Sequence, residues 1–322
     1  MFQIPGVSSS GNRGDTIGAT FTGRTWNATT TSQRLVYANG FWFGGQGTSS
    51  AVKYLPSINN SSAIASSGEG TGSILQCPSF YNGNYIMPVA TSTARQFLYT
   101  TALSNTTWTA VNCTGSTAKT IVRVIWTGTY YVALGNAGEF FRSTTINGTW
   151  ASRTGASFSI SAAESNLTRN LLGGASGELA RIGDGGGDNE TAITSPFGTS
   201  TVRMIRWWEN QNTWTASTTD GKLGYSVGVN GDDTSWALIT HNLGTNNVDP
   251  DLFFINGRWA AIGSNAGGTS TTVSISANSS ITSTYTSQGA KSTAAGDASA
   301  GSWASDGNYI GGILGNTMYY TR

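Results

Sequence analysis

The chain has 322 residues, 43 of them glycine, with 17 Lys and Arg against 16 Asp and Glu and a net charge of +1. Charged residues make up only 10%, with no basic stripe and no acidic tail, which argues against nucleic acid as a partner and against long-range steering of a charged ligand. The 11 Trp, 12 Tyr and 12 Phe fall in short apolar runs between polar stretches, a payload of buriable surface that excludes a disordered chain.

In chain order, residues 1–19 come first and read as an extended arm. They lack the basic and apolar regions of a signal peptide. Phe2 and Ile4 lie at its tip, ahead of a polar run from Ser8 to Asp15. The arm cannot bury enough surface alone to offset its ordering, so Phe2 and Ile4 are expected to insert into a neighbouring subunit of an assembly. Nowhere does an apolar run reach the roughly 18 residues of a membrane span.

From residue 20 to residue 322 one unit recurs: a short apolar strand, a tight polar turn, and a second aromatic strand ending near glycine. The strong copies surround Asn39-Gly40, Asn82-Gly83, Gly128-Thr129, Asn256-Gly257 and Asp306-Gly307. Asn-Gly and Asp-Gly favour two-residue type I′ hairpins, in which both central residues take positive φ. Two weaker copies run from Asn166 to Gly173 and from Arg206 to Trp214. The turns near positions 40, 83, 128, 170, 211, 257 and 307 are about 41–50 residues apart, the period of propeller blades. The expected fold is all-β: a single seven-bladed β-propeller of four-stranded blades. Its inner strands should begin near Leu35, Ser79, Val124, Leu167, Ile205, Phe253 and Trp303. No sustained helical periodicity competes.

A further element follows several hairpins. Phe97-Leu98-Tyr99-Thr100 leads to Thr107-Trp108, Phe140-Phe141-Arg142-Ser143 to Thr149-Trp150, and Leu223-Gly224-Tyr225-Ser226 to Ser235-Trp236. These resemble the Asp-box (bacterial neuraminidase) repeat, Ser-x-Asp-x-Gly-x-Thr-Trp, with the Thr/Ser-Trp end kept and the central Asp mostly lost. The last copy stops at Met318-Tyr319-Tyr320-Thr321 without a fourth strand, whereas Gly23-Arg24-Thr25-Trp26 near the start looks like a box end with its strand. The amino-terminal strand is therefore expected to complete the last blade and close the ring.

Chemistry is sparse. His241 is the only histidine, in a segment that reads as an inter-blade loop, and no Gly-x-Ser-x-Gly elbow supplies a serine. Asp184-Gly185-Gly186-Gly187-Asp188-Asn189-Glu190 offers oxygen ligands, but its spacing departs from the EF-hand loop, and it reads as a solvated linker between blades four and five. Glycoside hydrolysis needs two carboxyls facing one bond; Asp249 and Asp251 are expected on an unburied loop. The resemblance to Asp-box propellers brings sialidases to mind. However, their arginine triad, tyrosine nucleophile and acidic partners find no matching positions here. The chain is expected not to be an enzyme and to take neither metal nor cofactor. Arg34, Arg123, Arg203 and Arg206 recur at the starts of inner strands and are the candidates for a basic ring at one channel mouth, suited to an anionic group. Cys77 and Cys113 read as two small thiols.

A rigid, weakly charged disc with a Gly/Ser/Thr/Asn-rich surface and degenerate Asp-box blades resembles the virion proteins of tailed bacteriophages. That resemblance implies a structural tail, fibre-associated or capsid-decorating component of the virion. Its partners would be other virion proteins and, as a further candidate, a host surface glycan. The alternatives are a carbohydrate-binding propeller lectin and a degenerate glycosidase.

Overall fold

A computed structural model describes residues 21–25, 35–44, 51–58, 65–68, 73–74, 78–90, 97–103, 108–113, 120–183, 190–228, 236–244, 247–265, 269–292, 303–314 and 317–321. They form seven antiparallel sheets arranged as the blades of a propeller. Blade one holds Leu35–Ala38, Phe41–Gly44, Ala51–Leu55 and Ala65–Gly68. Blade two has its inner strand in two pieces, Ser73–Ile74 and Ser79–Tyr81, both paired to Asn84–Ala90, with Phe97–Thr100 and Thr109–Val111 outside. Blade three runs Ile121–Trp126, Tyr131–Gly135, Phe140–Ser143 and Ala151–Arg153, and blade four Ile160–Ser165, Asn170–Gly174, Leu179–Ile182 and Thr191–Ile193. Blade five comprises Val202–Trp208, Thr213–Thr218, Leu223–Val227 and Ala237–Leu238, and blade six Asn247–Ile255, Arg258–Asn265, Ser270–Ser276 and Tyr285–Ser292. Blade seven takes Trp303–Ser305, Ile310–Leu314 and Thr317–Thr321 from the end of the chain and Thr22–Thr25 from its start.

The blade count follows from packing as well as pairing. A four-stranded sheet apolar on both faces must bury each face against a neighbour. Among the described residues seven apolar clusters form, and each joins two successive blades, the last joining blade seven to blade one through Leu35, Trp42, Ile313 and Met318. The ring closes because Thr22–Thr25 pairs with Thr317–Thr321, covering the sheet edge that blade seven would otherwise expose.

The closing strand differs from expectation in one respect. In blades two, three and five a tryptophan (Trp108, Trp150, Trp236) directly precedes the outer strand and packs back toward the preceding blade; Trp150 lies 5.2 Å from the Phe97 ring. In blade seven the described strand is Thr22–Thr25, and Trp26 lies outside the described residues. Phe21 instead takes the place before the strand, its ring 6.0 Å from Trp303 in the cluster between blades six and seven.

The hairpins also divide. Asn39-Gly40, Asn82-Gly83 and Asn256-Gly257 place both central residues at positive φ, as type I′ turns require. Gly128-Thr129 and Gly307-Asn308 put only the leading glycine there, so the Asp306 turn is shifted by one residue from the expected pair. Asp306 uses its carboxylate instead, accepting the Asn308 and Tyr309 amides at 2.9 and 2.7 Å. In blade four the inner strand spans Ile160–Ser165, so Leu167 does not begin it but leads the turn, at φ 69°. A leucine there is strained. Leu167→Gly is expected to raise stability by about 1 kcal/mol, read from the denaturant midpoint, since the exposed side chain contributes little packing; an unchanged or lower midpoint would contradict the strain.

Candidate functional site

The channel is bordered by the seven inner strands. Those of blades three to six each carry a register irregularity, between Ile121 and Arg123, Ile160 and Ala162, Val202 and Met204, and Val248 and Asp251. Such bulges re-aim side chains, and three of the channel's charged residues, Arg123, Arg203 and Asp251, lie at them.

Arg206, in the middle of the blade-five inner strand, joins three blades. Its Nη2 donates to Asp251 Oδ2 of blade six at 2.8 Å and to the Trp303 carbonyl of blade seven at 3.0 Å. The guanidinium also lies 4.9 Å from the Phe253 ring centroid. Asp251 is therefore neither on a loop nor unburied: it stands inside the strand Asn247–Ile255 with a side chain only 6% exposed. Its other oxygen accepts the Leu252 amide at 2.9 Å. Burial pushes its carboxyl up to about 6 against the pull of Arg206.

Across the channel, the Tyr81 hydroxyl of blade two donates to Glu164 Oε1 of blade four at 3.2 Å, and Glu164 also accepts the Ser165 amide. Burial raises the Glu164 carboxyl, opposed chiefly by the charge of Arg123. It likewise holds the Tyr81 phenol well above its ordinary range, with the Glu164 charge adding to the shift. The inner strands of blades three to six thus present Arg123, Glu164, Arg206 and Asp251 in alternating sign. The expected basic ring is interleaved with acids: Arg123, Arg203 and Arg206 are all on inner strands, but Arg206 is ion-paired and Arg203 acts on Asp251. Arg34, Phe2 and Ile4 lie outside the described residues. Glu164 and Tyr81 were missed by sequence reasoning. In a chain with 10% charged residues, a carboxylate inside an apolar inner strand was the available signal.

Around the hairpin-side mouth an aromatic recurs at one register position. Tyr37, Phe80, Trp126, Trp207 and Phe254, at the ends of inner strands, stand directly across from Trp42, Tyr85, Tyr131, Trp214 and Trp259. The ring centroids of these pairs are 5.3, 4.7, 4.6, 5.0 and 5.2 Å apart. The second-strand partner is buried in every pair, and the inner-strand ring is half-buried. Blades four and seven carry Ser165 and Ser305 at this position. The hairpins are tied together by Asn39 and Asn84, which donate to the hydroxyls of Tyr85 and Tyr131 in the next blade at 2.7 and 2.8 Å.

The remaining candidates are structural in their contacts. His241 Nε2 donates to the Gly221 carbonyl at 2.9 Å while Nδ1 accepts the Leu243 amide at 3.3 Å. Burial lowers its pKa, so the ring is a neutral staple between the second turn of blade five and the connection to blade six. It borders a cavity of about 230 Å³ at the opposite face, shared with Asp220, Lys222 and Leu238, where Lys222 and Asp220 form an ion pair at 3.2 Å. Glu190 accepts the Ser157 amide and hydroxyl at 2.8 and 3.0 Å. The segment leading to it runs between the third and fourth strands of blade four, not between blades, and its residues 184–189 lie outside the described residues. Among the described residues no group of three or more His, Cys, Asp or Glu is arranged to hold a metal ion. Cys113 is buried between blades two and three, and burial raises its thiol; Cys77 lies outside the described residues.

No family model and no curated protein matches the sequence. Solved structures do match in three dimensions. A chain of a mitotic checkpoint complex aligns over 100% of this chain and 97% of its own length at TM-score 0.69 and 9% identity. YCF48 from Cyanidioschyzon merolae aligns over 93% and 98% at TM-score 0.62 and 10% identity. The computationally designed Ika8 protein aligns over 92% and 98% at TM-score 0.60 and 9% identity. The likeness is one of fold. This chain is a seven-bladed β-propeller. At such identities the same backbone is held by different side chains, and the propeller's function must be argued from its own residues.

Proposed function

We propose that this propeller is a non-enzymatic structural component of a bacteriophage particle, a tail, fibre-associated or capsid-decorating protein that works through its surfaces. The observation that carries the non-catalytic part is the channel: Arg206 is spent on Asp251 and the Trp303 carbonyl, and Glu164 on Tyr81 and Ser165, so the ionisable groups brace blades against one another. The one histidine has both ring nitrogens bonded to the backbone. The assignment to a particle is supported by the degenerate Asp-box turn, kept as Ser143-Thr144-Thr145-Ile146-Asn147-Gly148-Thr149-Trp150, and by the low-charge, Gly/Ser/Thr/Asn-rich surface. A structural neighbour of the same fold is described as YCF48 bound to D1 peptide, so a propeller of this shape can present a surface to a protein segment. The half-buried aromatics at the hairpin-side mouth favour a glycan-binding role as the second reading.

Two measurements test the proposal. Purified protein is expected to leave sialosides, other glycosides and esters unhydrolysed above background; turnover abolished by one conservative change at Asp251 or Glu164 would end the non-enzyme reading. A density map of the particle made with this chain is expected to contain its seven-bladed ring at stoichiometric occupancy, and purified particles from which the chain is absent would end the structural one.

A further inference from the structure

The hairpin-side mouth combines two features that the fold does not require together. The first is the set of half-buried inner-strand rings at its border. Two of these, Trp126 and Trp207, are only half-buried, and their indole N–H groups donate to no protein acceptor among the described residues. The second is the chemistry of the turns beside them. Among the central residues of the seven hairpin turns only Glu209 is charged; the others are Asn, Gln, Gly, Thr and Leu. The exposed side-chain amides of Asn82, Asn210 and Asn256 have no protein partner among the described residues. The Asn82 turn adjoins the Trp126 pair, since the Tyr131 hydroxyl donates to the Asn82 carbonyl at 3.4 Å. Asn210 follows Trp207 by three positions, in the short 3₁₀ turn Glu209–Gln211.

We infer that this mouth binds neutral oligosaccharides. A sugar ring offers one face of C–H groups and a rim of hydroxyls, which calls for an aromatic face flanked by groups that both donate and accept; indole with a free N–H, next to carboxamides, is that combination. Trp126 and Trp207 stack on sugar faces, and Asn82, Asn210 and Asn256 bond the hydroxyl rim. The turns favour an uncharged glycan over an acidic one, because the one charge among their central residues, Glu209, is negative. Repetition of the ring at blade spacing suits a chain of sugars. The inference deepens the host-contact element of the proposed function and rests on it for its biological setting.

The test is titration of the full chain with hexasaccharides of glucose, mannose, galactose and N-acetylglucosamine, and with a sialylated hexasaccharide, followed by tryptophan fluorescence and calorimetry. Saturable binding of at least one neutral hexasaccharide is expected, with Trp126→Ala and Trp207→Ala each weakening it about tenfold, the scale of one lost aromatic contact. Trp126→Phe and Trp207→Phe keep the packing on Tyr131 and Trp214 and guard against a folding defect; they are expected to weaken binding to a smaller degree. Three results would overturn the inference: no neutral hexasaccharide bound at millimolar concentration, binding of the sialylated one alone, or neutral binding indifferent to all four variants. Incorporation of the same variants into particles separates the two levels. Lost glycan binding with retained incorporation leaves the structural role standing, and absence of the chain from particles strikes that role without touching the glycan result.

Discussion

Deletion of residues 1–25 is expected to lower the melting midpoint by about 10 °C or more and to make the protein self-associate, whereas deletion of residues 1–14 is expected to leave both unchanged. The reason lies in blade seven. Thr22–Thr25 pairs residue for residue with Thr317–Tyr320 in an antiparallel ladder, and among the described residues no other segment covers that edge. Without it the strand Thr317–Thr321 presents a row of unpaired backbone groups, a template for pairing with another chain. Phe21 leaves with the strand and withdraws its ring from Trp303 in the cluster between blades six and seven. In a ring each blade is held by two neighbours, so loosening blade seven loosens both adjoining interfaces. Phe21→Ala isolates the second contribution and is expected to cost about 2 kcal/mol, less than a fully buried phenylalanine because Phe21 is half-buried. Calorimetry and light scattering on the three variants check the set. A 1–25 deletion that melts with the intact chain would show that the ring does not depend on its closing strand.

Asp251→Ala is expected to destabilise the propeller by about 3 kcal/mol at neutral pH, the lower end of what breaking a buried ion pair costs, because the Arg206 side chain keeps 26% of its surface exposed. The loss comes from what stays behind. Arg206 would lose its counter-ion at 2.8 Å while remaining tied to the Trp303 carbonyl, and the Leu252 amide would lose its acceptor. Replacing both partners, as Arg206→Met with Asp251→Leu, is expected to cost less than Asp251→Ala alone, since no unpaired charge remains. The pH profile gives an independent reading. Asp251 has its folded pKa raised to about 6 from an ordinary 3.8, so between those values the folded state holds more protons than the unfolded one. Its stabilising contribution is fully present below pH 3.8 and is lost as pH rises through 6. Glu164 is shifted in the same direction and adds to that leg. His241 works oppositely: with its pKa lowered by burial, the neutral ring contributes above its unfolded value of 6.5, and that contribution is lost as pH falls through the folded value. Denaturant midpoints of the intact chain and of Asp251→Asn between pH 4 and 7 are expected to differ in slope, the variant falling less with rising pH. Equal slopes would mean that Asp251 does not carry the shift.

The sequence by itself determined the repeat, the blade count and the closure of the ring. Those features are local or periodic: Asn-Gly pairs select type I′ turns through their tolerance of positive φ, and Asn39, Asn82 and Asn256 adopt it. A third strand lacking a fourth at one end, with an orphan strand at the other, leaves one arrangement that hides the edge, and Thr22–Thr25 occupies it. The boundary at Leu167 failed where the turn glycine is missing, and the Asp306 turn moved by one residue although Gly307 is present. At Leu167 a side chain tolerates positive φ because Asn166 Oδ1 accepts the Thr168 and Arg169 amides and closes the turn without it. Tertiary structure alone decided the character of the channel. Arg206 and Asp251 are far apart in the chain, as are Tyr81 and Glu164, and no periodicity links one inner strand's charge to another's. The ring brings them within hydrogen-bonding distance, and burial there makes an unpaired charge costly enough that each finds a partner. Of the arginines that read along the chain as a basic mouth, Arg206 becomes, once the ring is closed, a brace between blades, paired with an acid of the next one.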